Sequence, residues 1–233
     1  LMFEQVYLQR NARFFEGGDV LELCLGSGVN CVTAAARGAN VTGVDINPRA
    51  LAFARFNWQL NGIEGEPEFV QGSLFEPLGD RKFDAILINP PFEPAPPAAS
   101  HFLHSDGGAD GLDIVRACLG RAPAHLEENG VFEIVTYSPG DAETPLLIDL
   151  LRGAFPTGRI VAHRLNRTRL EGHLTPFRKT PGYREWCRGL DEAGLTHNHF
   201  LFCRVEPAVM PETETVTPVE EIDECNRICA SWE

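Results

Sequence analysis

The chain has 233 residues and a formal charge of −13, enough length for one domain with a substantial core. It contains no apolar run of about twenty residues, the length a bilayer requires, and no signal-peptide pattern, so a cytosolic protein that does not span a membrane is expected. The negative balance argues against bulk nucleic-acid binding, which depends on Lys and Arg neutralising phosphates.

Phe3, Val6, Tyr7, Arg10 and Phe14 follow helical spacing, so residues 1–15 are expected to form a helix packed on the fold or covering a ligand. Residues 20–25 read as a first buried strand, followed at once by Gly26-Ser27-Gly28 and a helix-like stretch at 29–37. A second strand at 40–44 ends in Asp45, and Asp45-Ile46-Asn47-Pro48 has the chemistry of a helix start, with a helix expected to residue 60. Further strands are expected at 68–71, 83–88, 131–137, 159–165 and 199–205, with helices near 112–126, 144–154 and 183–193. This alternation implies an α/β fold with a doubly wound, mainly parallel sheet. One domain is expected over residues 1–205, with 168–193 as a possible substrate-side insertion. Residues 206–233 are acidic and broken by Pro207, Pro211 and Pro218, and read as an extended strap before a short helix near 219–232.

Three segments carry the chemistry. Gly26 and Gly28 let the backbone approach a ligand closely. No third glycine follows at the dinucleotide spacing, so a nicotinamide cofactor is disfavoured. Asp45 lies about twenty residues on, where an acidic side chain reaches the hydroxyls of a ribose. Glu22, inside the first strand, is a carboxylate that could pair with an ammonium group. Asn89-Pro90-Pro91-Phe92 closes the apolar run 85–88, at the strand edge where ligands of open α/β sheets bind. There the Asn89 oxygen and the Pro90 carbonyl could accept hydrogen bonds from a primary amino group, and Phe92 could lie against a planar substrate.

With these motifs in place, the chain resembles the class I S-adenosylmethionine-dependent methyltransferases, whose first motif is an acid followed by a glycine-rich turn. Asn89-Pro90-Pro91-Phe92 makes it similar to the amino-methylating branch, above all the "methyltransferase small" proteins and the protein-glutamine methyltransferases acting on translation release factors. The likeness runs from about Asp19 to Ser138 and includes residues 72–77, Phe83-Asp84 and residues 106–113. It implies a Rossmann-like sheet of seven strands, the last antiparallel. The implied cofactor is S-adenosyl-L-methionine, with contacts at Glu22, Leu23, Gly26, Gly28, Asn30, Asp45, Ile46, Ser73, Leu74 and Asn89. Catalytic roles fall on Asn89, Pro90, Pro91 and Phe92. In two places the chain departs from the pattern: Cys24 stands where a glycine is frequent, and Ser73 where an aspartate commonly meets the adenine amino group.

The expected reaction is methyl transfer to a planar amide or amine nitrogen, most simply a protein glutamine side chain. The alternatives are an RNA base amine (adenine or guanine), a small-molecule nitrogen, or a catalytically inactive cofactor-binding module that regulates a partner. No metal is expected. The seven cysteines show no Cys-x-x-Cys spacing, and Cys225 and Cys229 lack a matching His/Cys pair. A basic strip at 159–169, with Arg167 and Arg169, followed by Arg178 and Lys179, is the one segment that could steer RNA. His101 and His104 could serve as proton acceptors or substrate contacts, while Asp106 and Asp110 are expected to order their loop or cap a helix.

Overall fold

In this computed structural model residues 16–99, 104–207 and 215–218 are described, the last four by backbone alone. The helix expected at 1–15, His101 and the terminal helix near 219–232 lie outside them. Strands β1 (Asp19–Leu23), β2 (Asn40–Asp45), β3 (Glu68–Gln71), β4 (Phe83–Ile88), β5 (Leu126–Gly140), β6 (Arg159–Arg169), β7 (His197–Glu206) and β8 (Thr215–Pro218) form one sheet. Helices α1 (Val29–Ala35), α2 (Pro48–Leu60), α3 (Asp113–Leu119), α4 (Leu146–Ala154), α5 (Leu170–Leu174) and α6 (Tyr183–Glu192) connect them.

The strand order is β3-β2-β1-β4-β5-β7-β6-β8. From β3 to β5 every pair is parallel, β7 runs antiparallel between β5 and β6, and β8 adds an eighth strand parallel to β6. The acidic extension therefore contributes an edge strand. β1 is flanked by β2 on one side and β4 on the other, with Leu23 in register with both Val44 and Ile88. The chain thus winds away in opposite directions from β1, and a crevice opens at the carboxyl ends of β1 and β4.

Alternation along β1 decides which face each residue serves. Leu21 and Leu23 join Ile86, Ile88, Phe132 and Ile134 in a core beneath α3 and α4. Val20 faces the opposite side with Ala34, Ala85 and Leu87, and Glu22 shares its parity. β1 stops at Leu23, two residues short of the expected end, because Cys24 turns into the left-handed region at φ 55°. β5, β6 and β7 are longer than their apolar runs suggest, since the antiparallel ladder pairs continuously from Phe132↔Val205 to Gly140↔His197 and carries β6 out to Arg169. The segment after β6, with no helix expected before residue 183, holds α5 and a 3-10 turn at Thr175–Phe177. These elements pack with α6 around Leu170, Leu174, Trp186 and Leu190.

Candidate active site

The first turn of the crevice is fixed by Gly28 and two carboxylates. Gly28 sits at φ 70°, and a Cβ there would lie 2.7 Å from that of Ala54, so glycine is what lets α1 start against α2. Glu22 is 2 % exposed. Its Oε1 accepts from the Asn30 side-chain amide at 2.7 Å and its Oε2 from the Cys31 backbone N–H at 2.9 Å. This corrects the ammonium-pairing role expected of Glu22: strand parity points the side chain under α1, where it satisfies that helix's first turn from below. Burial, with smaller opposition from these bonds, raises its carboxyl to about 7. Asn30 is likewise fully buried beneath the turn. The Leu23 side chain is wholly inside the core on the other face, which leaves its backbone as the part that faces the turn.

Asp45 ties the glycine turn to the end of β2. Its Oδ2 accepts from Gly26 N–H at 2.9 Å and its Oδ1 from Asn47 N–H at 2.8 Å. Asn47 in turn caps α2 by accepting from Arg49 N–H, with Pro48 in the first helical position. Asn57, a residue no sequence signal singled out, makes a second tie by donating from Nδ2 to the Ser27 carbonyl. Ile46 stands beside Asp45 with 46 % of its surface exposed. After β3, Gly72 N–H donates to the Asp45 carbonyl. Ser73 is exposed and Leu74 adopts φ 46°. Cys24 and Leu74 are the two non-glycine residues in the left-handed region among those described, and both line this edge, where backbone strain concentrates at functional sites. The positive φ gives a reason for a frequent glycine at position 24. Burial, reinforced by the Asp45 and Glu22 carboxylates, pushes the Cys24 thiol up to about 12, which favours the thiol over the thiolate at neutral pH.

Across the crevice, Asn89 follows Ile88 directly. Its Oδ1 is buried and has no hydrogen-bond partner among the described residues. Pro90 is buried, while Pro91 and Phe92 are partly exposed. The Phe92 ring lies 5.1 Å from that of Tyr137 on β5, which stacks on Phe200 at 4.7 Å and meets His173 of α5 at 5.6 Å. None of these three aromatic neighbours was legible in the sequence, because only the β5–β7 pairing and the fold of 170–195 bring them together. Asp106 and Asp110 act as expected on their loop, accepting from Gly108 N–H and Leu112 N–H. His104 is exposed. The basic strip is partly occupied within the chain: Arg167 bonds the Ala142 carbonyl and pairs with Glu143 at 2.9 Å, and Arg164 bonds the Glu143 carbonyl. Among the described residues no cluster of three or more His, Cys, Asp or Glu could hold a metal ion, and no helix is long and apolar enough to cross a membrane.

A glycine turn after β1, an acid ending β2 and an Asn-Pro-Pro-Phe turn after β4 thus meet at one switch point, and the sequence model of the methyltransferase small domain matches residues 5–164. The chain belongs to that family. The domain is similar to a ribosomal protein uL3 glutamine methyltransferase of Bradyrhizobium diazoefficiens, 42 % identical over 121 residues, covering 48 % of this chain and 38 % of that protein. It is also similar to a release factor glutamine methyltransferase of Geobacter sulfurreducens, 38 % identical over 138 residues, covering 54 % of this chain and 48 % of the relative. The methyltransferase domain thus spans less than half the length of these two relatives. Among solved structures, the Thermus thermophilus 16S rRNA N2 G1207 methyltransferase in complex with AdoMet and guanosine aligns over 89 % of this chain and 43 % of its own, with a TM-score of 0.53 at 18 % identity. That likeness establishes the Rossmann-like methyltransferase fold and nothing about the acceptor.

Proposed function

We propose that this chain is an S-adenosylmethionine-dependent N-methyltransferase acting on a planar amide or amine nitrogen, and that its acceptor is a glutamine side chain of a protein. The observation that carries the reading is the Asn89 Oδ1: a buried acceptor with no partner among the described residues, placed across the β1/β4 crevice from the glycine turn. A buried polar atom without a partner costs about 1–3 kcal/mol, so it is retained where a ligand supplies the missing donor.

The residues of the crevice fit an adenosyl group bearing a charged amino-acid tail. Gly26 and Gly28 offer close backbone approach. Asp45 spends one lone pair of each oxygen on Gly26 and Asn47 and keeps the others for ribose hydroxyls. Ile46 offers an exposed apolar surface beside it, with Ser73 and Leu74 on the adjoining loop. Glu22, Leu23 and Asn30 act from beneath, by shaping the turn. The bound cofactor supplies an electrophilic methyl group on its sulfonium.

An amide nitrogen is a weak nucleophile because its lone pair is delocalised into the carbonyl. Asn89 Oδ1 and the Pro90 carbonyl, accepting both N–H bonds, favour a more pyramidal nitrogen, stabilise the positive charge that develops on it and fix its direction. Phe92 holds the planar group in place. The methylated nitrogen then becomes acidic and releases a proton to water, so no strong general base is required of the site.

A protein acceptor is supported by the names of the two relatives above and by the net charge of −13. A cytoplasmic location follows from the same reading. The test is transfer of label from methyl-labelled S-adenosylmethionine to purified unmethylated uL3, a release factor, total RNA and small metabolites, followed by digestion and mass analysis. Label recovered as N-methylglutamine supports the proposal; label confined to RNA bases or metabolites overturns the protein-glutamine part of it, and no transfer together with no cofactor affinity overturns all of it.

A further inference from the structure

We propose that Tyr137 is a positioning residue that sets the plane of the Phe92 ring for the acceptor, and that the helical segment 170–195, which overlaps the possible insertion at 168–193, holds this arrangement in place through His173 and through the loop that follows the acceptor turn. The inference rests on the acceptor-site reading of Asn89-Pro90-Pro91-Phe92. Two prolines fix the backbone up to Pro91, but they leave the Phe92 side chain free to rotate about its own bonds. Something outside the motif must orient the ring, and among the described residues the ring in contact with it is Tyr137, at 5.1 Å and 46°.

Tyr137 is suited to the task because it is itself locked. It pairs directly across the antiparallel β5–β7 ladder with Phe200, whose side chain is 4 % exposed, and the two rings stack at 4.7 Å and 18°. A directly opposed aromatic pair on central strands is a stiff platform. His173 closes on the tyrosine from a third side at 5.6 Å, and its Nε2 lies 3.0 Å from the Thr168 hydroxyl, which orients the imidazole. α5 carries His173 between Leu170 and Leu174, both buried against Trp186 and Leu190 of α6.

A second route joins the same insertion to Phe92. The Trp186 Nε1–H donates to the Ala109 carbonyl at 2.7 Å. The 104–112 loop containing Ala109 is stitched to the segment after Phe92: Glu93 N–H donates to the Ser105 carbonyl, Gly107 N–H to the Glu93 carbonyl and Ala95 N–H to the Gly108 carbonyl. Gly111, at φ 86°, lies so near that a Cβ would come within 2.5 Å of the Phe92 carbonyl oxygen. Rings on one side and backbone bonds on the other therefore bind the insertion and the acceptor turn into one body.

The test uses the full chain with Tyr137→Phe and Tyr137→Leu. In protein carrying isotopically labelled phenylalanine, the Phe92 ring resonances are assigned by their loss in Phe92→Leu and followed by NMR. Tyr137→Leu should shift them and Tyr137→Phe leave them near the parent position. With purified uL3 as acceptor, Tyr137→Leu should lower kcat/KM about tenfold or more, chiefly through KM, with cofactor affinity intact, and Tyr137→Phe should recover most of the loss. His173→Ala should shift the resonances in the same direction by a smaller amount. Unmoved Phe92 resonances in Tyr137→Leu, or a Phe variant as impaired as the Leu variant, overturn the proposal. Failure of the parent enzyme to label uL3 removes uL3 as the acceptor and leaves the proposal to be decided by the NMR arm, which needs no acceptor.

Discussion

Replacing Glu22 by glutamine tests whether this carboxylate is a buried structural cap. In the folded chain the group holds its proton up to about pH 7, whereas in the unfolded chain it ionises near 4.5. Between those values the folded state binds the extra proton, so stability attributable to this residue falls as pH rises through the window and levels off above it. At about 1.36 kcal/mol per pH unit the total is about 3 kcal/mol, an order-of-magnitude figure for a group with no compensating cation in contact among the described residues. Glutamine keeps the geometry: its oxygen can accept from Cys31 N–H while its amide donates to Asn30 after that side chain turns over. It removes the ionisation. Urea unfolding of both proteins at intervals from pH 4.5 to 8 should show the variant gaining on the parent by about 1.4 kcal/mol per pH unit up to about pH 7 and then holding constant. Other titrating groups cancel in the difference. A flat difference across the window would refute the burial argument, and an unfolded variant at every pH would show that the carboxylate, not its shape, is needed.

Asn89→Ala should leave cofactor affinity largely intact while lowering turnover about a hundredfold or more, as when a preorganised transition-state contact is lost; equal single-turnover rates would remove Asn89 from the chemistry. Asp45→Ala should weaken cofactor binding by about tenfold or more by calorimetry, and also lower the melting temperature, because the Gly26 and Asn47 amides lose their acceptor at a cost of about 1–3 kcal/mol. Unchanged affinity in a folded variant would reject the ribose assignment. Reversing Arg167 and Arg169 to glutamate should change transfer to a protein acceptor only modestly, at low or high salt, since Arg167 is already engaged by Ala142 and Glu143. A steep salt dependence that vanishes in the double variant would point to phosphate contacts and an RNA acceptor.

The amino acid sequence by itself determined the order of β1 to β7 and of the helices other than α5, the two turns of the candidate site and the acid that ends β2, because each is written in local terms: apolar runs, glycine and proline at turns, a polar residue where a strand stops. It also determined the family. The tertiary structure alone decided what the side chains of those motifs face. Glu22 reads as an open carboxylate until strand parity and the packing of α1 turn it inward, and the same parity sends the Leu23 side chain into the opposite core. Tyr137, His173 and Phe200 lie at most 63 residues apart in the chain, yet they meet around Tyr137, beside Phe92, only because β7 runs antiparallel beside β5 and the segment 170–195 folds back toward them. Local propensity specifies where the chain turns; which residues meet across a sheet depends on pairing and register, and those are fixed by burying the whole core at once.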